Sequence, residues 1–387
     1  MKIVLIYLCL IVMIYGNCYL FSSEVPPVYY NHYLNILPIA LFFIVYGKQY
    51  SYSFDRKWVI LTAVSFLLMT VVWQRDSGSS SLTLLCYMLI PQFCNKVLPR
   101  YKIVSVLVFL VLAFEAVLCI YEYIMQNNLF YRFEEYGRFR SSGIWGHPLH
   151  NASIVSVIML LLLVSPIRSL YKILSIVIGF VVLFTFNGRA AIISTLICLL
   201  LMVVLNTKKV FTFLKHQNIV FILGICIAAV YLFGYISTSD LGGKLFSQDT
   251  RNFNDGSAMT RFYLYNYVFN MDVKEWLFGV GNFESIFKVN DFLYVESTPV
   301  SLMLSRGLVI ALPLILFQYS DMYKSFSCIS KMNRFVLILD IIIIGLSSES
   351  FIGIAPWVMI YLTYSALFTN RKYITNENRN INFSSFP

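Results

Sequence analysis

The stretch Ile103-Val-Ser-Val-Leu-Val-Phe-Leu-Val-Leu-Ala-Phe-Glu-Ala-Val-Leu-Cys-Ile-Tyr-Glu-Tyr-Ile124 decides the fold class. A helix that crosses a bilayer needs roughly 20 apolar residues at about 1.5 Å each, and this run supplies them. Similar apolar runs recur over 3–21, 33–47, 58–73, 82–94, 152–166, 170–186, 189–206, 218–237, 298–318, 335–347 and 350–368. Composition agrees. The chain is 59% hydrophobic and only 12% charged, with a mean hydropathy of +0.73, whereas soluble domains hold about 45–50% apolar and about 25% charged residues. A secreted, cytosolic or disordered protein is excluded, and so is a single-pass receptor. The first run is too long for the apolar core of a secretory signal and no small-x-small cleavage site follows, so it reads as a retained span. The run 82–94, short and interrupted by Pro91, carries the weakest signal.

The net charge of +10 comes from 29 Lys and Arg against 19 Asp and Glu. In a soluble protein that balance would suggest nucleic acid; here it marks topology, because Lys and Arg collect in cytoplasmic loops. Connections carrying Lys48, Arg56 and Lys57; Lys96, Arg100 and Lys102; Arg168 and Lys172; Lys208, Lys209 and Lys215; and Lys324, Lys331 and Arg334 alternate with basic-poor ones. With Lys2 at one end and Arg371, Lys372 and Arg379 at the other, the pattern predicts an all-α polytopic membrane protein. It has about twelve transmembrane helices and both termini cytoplasmic. A single integral membrane domain then covers 1–368, and the Asn- and Ser-rich tail 369–387 is expected to be disordered. Two long loops lie outside, about 126–150 and about 237–297, the larger between spans nine and ten. Work on a polar substrate is therefore expected on the outer face. No internal repeat of the transporter kind is present. The eight cysteines lie singly with no CxxC pair, so neither a disulfide framework nor a zinc site is indicated.

The first outer loop reads Arg132-Phe-Glu-Glu-Tyr-Gly-Arg138-Phe-Arg140-Ser-Ser-Gly143-Ile-Trp145-Gly146-His147-Pro148-Leu-His150-Asn151. Guanidinium groups bind phosphate through two parallel hydrogen bonds, which makes a polyprenyl-pyrophosphate lipid a natural ligand. Simple contact with lipid headgroups accounts for the same arginines. Arg189, in Asn187-Gly188-Arg189-Ala-Ala, stands at an outer helix start against the basic-inside trend, and snorkelling is its alternative. Arg261 opens a segment whose Phe262, Tyr265, Val268 and Phe269 fall at helical spacing. That spacing predicts an amphipathic helix lying on the bilayer, its aromatics either stacking on sugars or packing. Gly279-Val-Gly281 is a turn signal without the strand–helix context of a nucleotide fingerprint. Arg306, Glu115 and Asp340 fall inside spans, and an ion pair between Arg306 and one of the acids explains them as well as catalysis does. No clustered carboxylates suggest a divalent cation.

From Arg138 to about Leu308 these elements resemble the O-antigen polymerase and O-antigen ligase superfamily of bacterial surface-polysaccharide enzymes. Arg140-Ser-Ser-Gly143-Ile-Trp-Gly-His147-Pro148 is similar to its R-x-x-G-x-x-x-(N/H)-P element, and Asn187-Gly-Arg189-Ala-Ala to its S-R-G-A helix start. Arg261 with Leu277-Phe-Gly279-Val-Gly281 resembles the R…(L/F)-G-x-G element of the large outer loop. Val295-Glu296-Ser297…Leu302…Leu304…Gly307-Leu308 resembles the H-N-x-x-L…G-L element that closes it. Two departures matter. Glu296 stands where the ligases have a functional His, and Leu149 replaces the Asn expected after Pro148. The missing His argues for a polymerase over a ligase.

The resemblance implies an inverting, metal-independent glycosyl transfer at the outer face of the bacterial cytoplasmic membrane, with no cofactor. An undecaprenyl-pyrophosphate-linked oligosaccharide would be polymerised into O-antigen, capsule or exopolysaccharide. A chain-length regulator and a flippase would be partners, and nucleic acid would not. Arg140, Arg189 and Arg261, supported by Arg138, would stabilise the pyrophosphate leaving group. The acceptor hydroxyl needs a base; Glu296 is the first candidate and His147 the second, with Glu284 and Asp291 behind them. The alternatives are a ligase passing polymer to a lipid acceptor, or a lipid-linked oligosaccharide flippase of the transporter class.

Overall fold

In lipid, a chain must satisfy its backbone polar groups internally, and apolar runs of this length do so as helices. The computed structural model describes residues 2–15, 31–50, 55–71, 78–130, 139–206, 231, 256–280, 297–348, 350–352 and 354–369. Each apolar run within them coincides with a helix to within a few residues; the run 218–237 lies outside them, apart from Tyr231. In chain order the helices are α1 (Lys2–Tyr15), α2 (Asn31–Tyr46), α3 (Arg56–Val71), α4 (Gly78–Lys96), α5 (Lys102–Met125), α6 (Pro148–Val164), α7 (Ser169–Thr185) and α8 (Arg189–Leu205). Then come α9 (Gly256–Phe269), α10 (Val273–Phe278), α11 (Thr298–Ser325), α12 (Lys331–Ser347) and α13 (Ile354–Tyr364). Ile103–Met125 of α5 and Thr298–Ser325 of α11 are long and apolar enough to cross a membrane; α1, α6, α7, α8 and α13 are shorter apolar helices. α4 continues through Pro91, so the weakest run is helical after all.

α5 shows how the solvent inverts the usual pattern. Val106, Leu110, Phe114, Val117, Tyr121 and Ile124 form an exposed apolar stripe, while Glu115, Cys119 and Glu122 are buried on the opposite face. An exposed stripe of that size suits lipid rather than water. Contacts between connections also sort by end. Lys2 Nζ donates to Gln49 Oε1 at 2.8 Å, Lys57 Nζ and Trp58 Nε1 both donate to Asp321, and Asn206 Nδ2 donates to Asn333 Oδ1 at 3.0 Å. All three join connections that carry the basic residues. At the other end Ser141 N donates to Thr185 O at 3.1 Å and Thr298 N to Ser348 O at 3.0 Å.

Between the ends, a polar knot ties three helices. Asp340 on α12 accepts from Ser194 Oγ on α8 at 2.6 Å and from Ser156 Oγ on α6 at 2.7 Å. Ser156 and Thr195 share a further hydroxyl–hydroxyl bond of 2.6 Å. Asp340 is fully buried and its carboxylate is engaged by hydroxyls, not by Arg306 as the sequence allowed.

α11 is not one straight rod. Gly307 has φ 69° and ψ 167°, breaking the helix directly after Arg306. The break is gripped by the end of α10. A Cβ on Gly279 (φ +79°) would lie 2.7 Å from both Gly307 N and Leu304 O, and one on Gly307 would overlap the backbone of Leu277 and Phe278. Val280 N donates to Leu304 O at 2.8 Å. Arg306 therefore stands at a helix junction rather than within a continuous span. Gly307→Ala should cost about 1–3 kcal/mol from strain in a backbone region essentially confined to glycine, with backbone overlap added. The check is thermal unfolding in detergent: a clearly lowered midpoint is expected, and an unchanged one would mean the glycine clasp does not hold.

α9 packs on the first half of α11 through Leu264 and Val268, and α10 through Trp276, with Met271 between them, against Val300, Met303 and Leu304. The inward face of α9 is thus the Leu264–Val268 pair, one turn apart, meeting protein. Phe269, expected on the apolar face, is 75% exposed. Of the residues that the spacing named, Val268 and Tyr265 meet this cluster and Phe269 does not.

Candidate active site

The first outer loop turns back on α5, and its buried backbone donors need acceptors. Glu122 Oε2 accepts from Ser142 N at 2.9 Å and Gly143 N at 3.0 Å, while its Oε1 accepts from Leu129 N at 3.0 Å. Glu115 Oε2 accepts from Ile144 N at 2.8 Å, and its Oε1 from Cys119 Sγ at 3.2 Å. Glu115 is thereby explained without Arg306. Gly143 has φ +55° and is pressed on the Glu115 carboxylate so closely that a Cβ would overlap it. Ser141 Oγ donates to Cys119 O at 2.7 Å, and Asn151 Nδ2 donates to Ser142 O.

This shape fixes the residues on either side. Arg140 is only 5% exposed, and the neighbouring Ser141 N bonds the end of α7 at Thr185 O. Beyond Thr185 the chain makes a tight turn with Asn187 at φ +53°, a conformation asparagine tolerates better than most residues. α8 then opens at Arg189, with no side-chain cap at its start. A Cβ on Gly188 would come 2.9 Å from Ala152 Cβ, so the start of α8 abuts the start of α6. Arg140, His147 and Arg189 are in this way gathered at one end of the α6–α8 pair.

His147 caps α6. Its Nδ1 accepts from Leu149 N at 3.3 Å, and Pro148 at the first helical position has no N–H to satisfy. Burial, then the nearby His150, then Arg140 hold its imidazole well below the usual histidine range. The ring is neutral at pH 7, and with Nδ1 accepting, the proton sits on Nε2, which faces any partner as a donor. A depressed histidine stabilises the fold at neutral pH and withdraws that support as pH falls below about 6.5.

Three further polar atoms of this element, Ser142 Oγ, Trp145 Nε1 and Asn151 Oδ1, are buried with no hydrogen-bond partner among the described residues. Buried polar groups are as a rule paired. Arg138, Glu296, Glu284 and Asp291 lie outside the described residues, as does the side chain of Arg261, whose backbone is in α9. α9 reaches the bundle through α11. The residue after Glu296, Ser297, is the buried N-cap of α11, and Thr298 Oγ1 donates to Ser348 O at 2.7 Å. The following turn, Ser350–Ile352, packs on α6. Glu122 was missed by sequence reading; the available signal was its position two turns after Glu115 on one helical face. Among the described residues no three His, Cys, Asp or Glu side chains stand together as a metal-ion set.

Residues 173–303 match the family model described as O-Antigen ligase, which takes in α7 to α10 and the first turns of α11. This stretch is similar to the O-antigen polymerase and ligase superfamily. Members of this superfamily are membrane-embedded bacterial enzymes that act on lipid-linked oligosaccharides. The matched stretch, about a third of the chain, contains Arg189, Arg261 and Glu296, while Arg140 and His147 precede it. No curated protein matches the chain.

Proposed function

We propose that this protein is a polymerase of that superfamily, joining polyprenyl-pyrophosphate-linked repeat units at the outer face of the cytoplasmic membrane. About twelve spans would carry it, with the 126–150 and 237–297 loops outside and both termini inside. The observation that supports it most is the pinned Arg140–His147 element, lying beside the helix start that carries Arg189. A helix N-terminus without a side-chain cap, flanked by arginines, favours an anionic group. The three buried polar atoms at Ser142, Trp145 and Asn151 suit an oxygen-rich substrate.

In the proposed reaction the hydroxyl of the acceptor unit attacks the anomeric carbon of the donor chain from the face opposite its pyrophosphate. The new C–O bond forms as the old one breaks, and the departing electron pair goes to the pyrophosphate oxygen. Arg140, Arg189 and Arg261, with Arg138 in support, stabilise that charge, and the Nε2–H of His147 adds a neutral donor. Glu296 takes the hydroxyl proton. No metal is required in this scheme, because guanidinium groups do the work of the cation. A chain-length regulator and a flippase would act beside it. The replacement of the ligases' His by Glu296 favours polymerase over ligase.

Deleting the gene and resolving the surface polysaccharide on a gel tests the reading. Collapse to single repeat units on the cell's usual acceptor is expected. Full-length polymer stranded on the lipid carrier would mean a ligase, and no exported units would mean a flippase.

A further inference from the structure

We infer that Glu115 and Glu122 are positioning residues that hold the Arg140–His147 element in its working shape, and that Glu122 is the indispensable one. The inference rests on the polymerase reading for its functional consequence. Three consecutive backbone N–H groups, at Ser142, Gly143 and Ile144, all bond carboxylates of α5. Successive N–H groups point the same way only when the backbone alternates hand, which Gly143 allows at φ +55°. Such a concave row of donors is a ready anion site. Here it is filled from within by Glu115 and Glu122, both buried. The loop is thus fastened along its inner edge, and Arg140 and His147 are set at its two ends.

The two carboxylates are unequal. Glu122 receives three N–H bonds shared between both oxygens. A glutamine has one acceptor oxygen, and its NH₂ would face at least one of those N–H groups, donor against donor. Glu115 receives one N–H on Oε2, and its Oε1 meets only the Cys119 thiol. A glutamine there keeps its oxygen on Ile144 N and turns its NH₂ toward sulfur, a weak acceptor. Nearly equal changes of shape therefore have different expected outcomes.

The test compares purified Glu115→Gln and Glu122→Gln enzymes on lipid-linked repeat units. Glu122→Gln should lower kcat by about 10²-fold, the scale of a modest misplacement of a catalytic group, with KM little changed. Glu115→Gln should stay within a few-fold of wild type. A positioning role also predicts non-additivity. In an Arg140→Lys background Glu122→Gln should cost little more, whereas a merely structural role would multiply the two losses. Amide hydrogen exchange supplies a readout independent of activity. The 141–147 segment should exchange at least about tenfold faster in Glu122→Gln, while α6 and α8 exchange as in wild type. If Glu122→Gln does not accumulate, Glu122→Asp, which keeps both acceptor oxygens on a shorter arm, takes its place with the same expectations. Equal behaviour of the two Gln variants, or multiplicative losses, or unaltered exchange at 141–147, overturns the inference. Wild-type activity of Arg140→Lys alone would instead sink the leaving-group assignment and leave the exchange result to judge the clamp.

Discussion

Arg140→Lys should lose polymer formation by about 10²–10³-fold, the range for removing one donor that stabilises developing charge, while the protein still reaches the membrane at normal levels. Lysine keeps the charge but not the planar fork, so it cannot hold two phosphate oxygens at once. Burial sharpens the contrast. Arg140 is 5% exposed, and an ammonium is more strongly hydrated than a guanidinium, so moving it out of water costs more. Arg189 is partly exposed at the first position of α8, and Arg189→Lys should show a smaller loss. Rates of chain growth on lipid-linked repeat units, normalised to enzyme in the membrane, decide the matter. Near-normal polymer from both lysine variants would leave these arginines only a headgroup role.

Glu296→Gln is the second large effect. Loss of a general base typically costs about 10²–10⁴-fold, enough to erase long chains from a gel. A carboxylate accepts a hydroxyl proton and its amide isostere does not, so the substitution changes chemistry with little change of shape. Glu296 precedes the N-cap of α11, whose Ser297 makes no side-chain capping bond. A carboxylate near that helix start could instead serve the helix dipole, for which glutamine is a partial substitute. The measurement is polymerisation by purified Glu296→Gln across a pH series, beside Glu296→His. A Gln enzyme retaining more than about a tenth of the wild-type rate is too active to have lost its base. His147 would need to release its capping bond to Leu149 before Nδ1 could take over that task.

The helices were legible because lipid imposes one rule on every span: apolar outside, backbone satisfied within. Arg140, His147 and Arg189 were legible by type and by the turns around them. What holds them was not. The acceptors of the Ser142–Ile144 donors lie on the preceding helix, at Glu115 and Glu122, and no local pattern ties Gly143 to a residue so distant in the chain. Arg306 was read as lying within a span because its neighbour Gly307 breaks the helix only through its contact with Gly279. On α9 the spacing named Val268 and Tyr265 of the packed face but left out Leu264, which aromatic periodicity does not mark.

The Asp340 knot bears on how the chain is made. An aspartate at the centre of a membrane helix raises the free energy of insertion by about 2.5–3.5 kcal/mol. In the twelve-span arrangement proposed above, α12 carries that burden into the bilayer after α6 and α8. Its relief, the hydroxyls of Ser156 and Ser194, stands on α6 and α8, which leave the ribosome long before it. The later helix is thus received by earlier ones, whose Ser156 and Thr195 already share a hydrogen bond before Asp340 arrives.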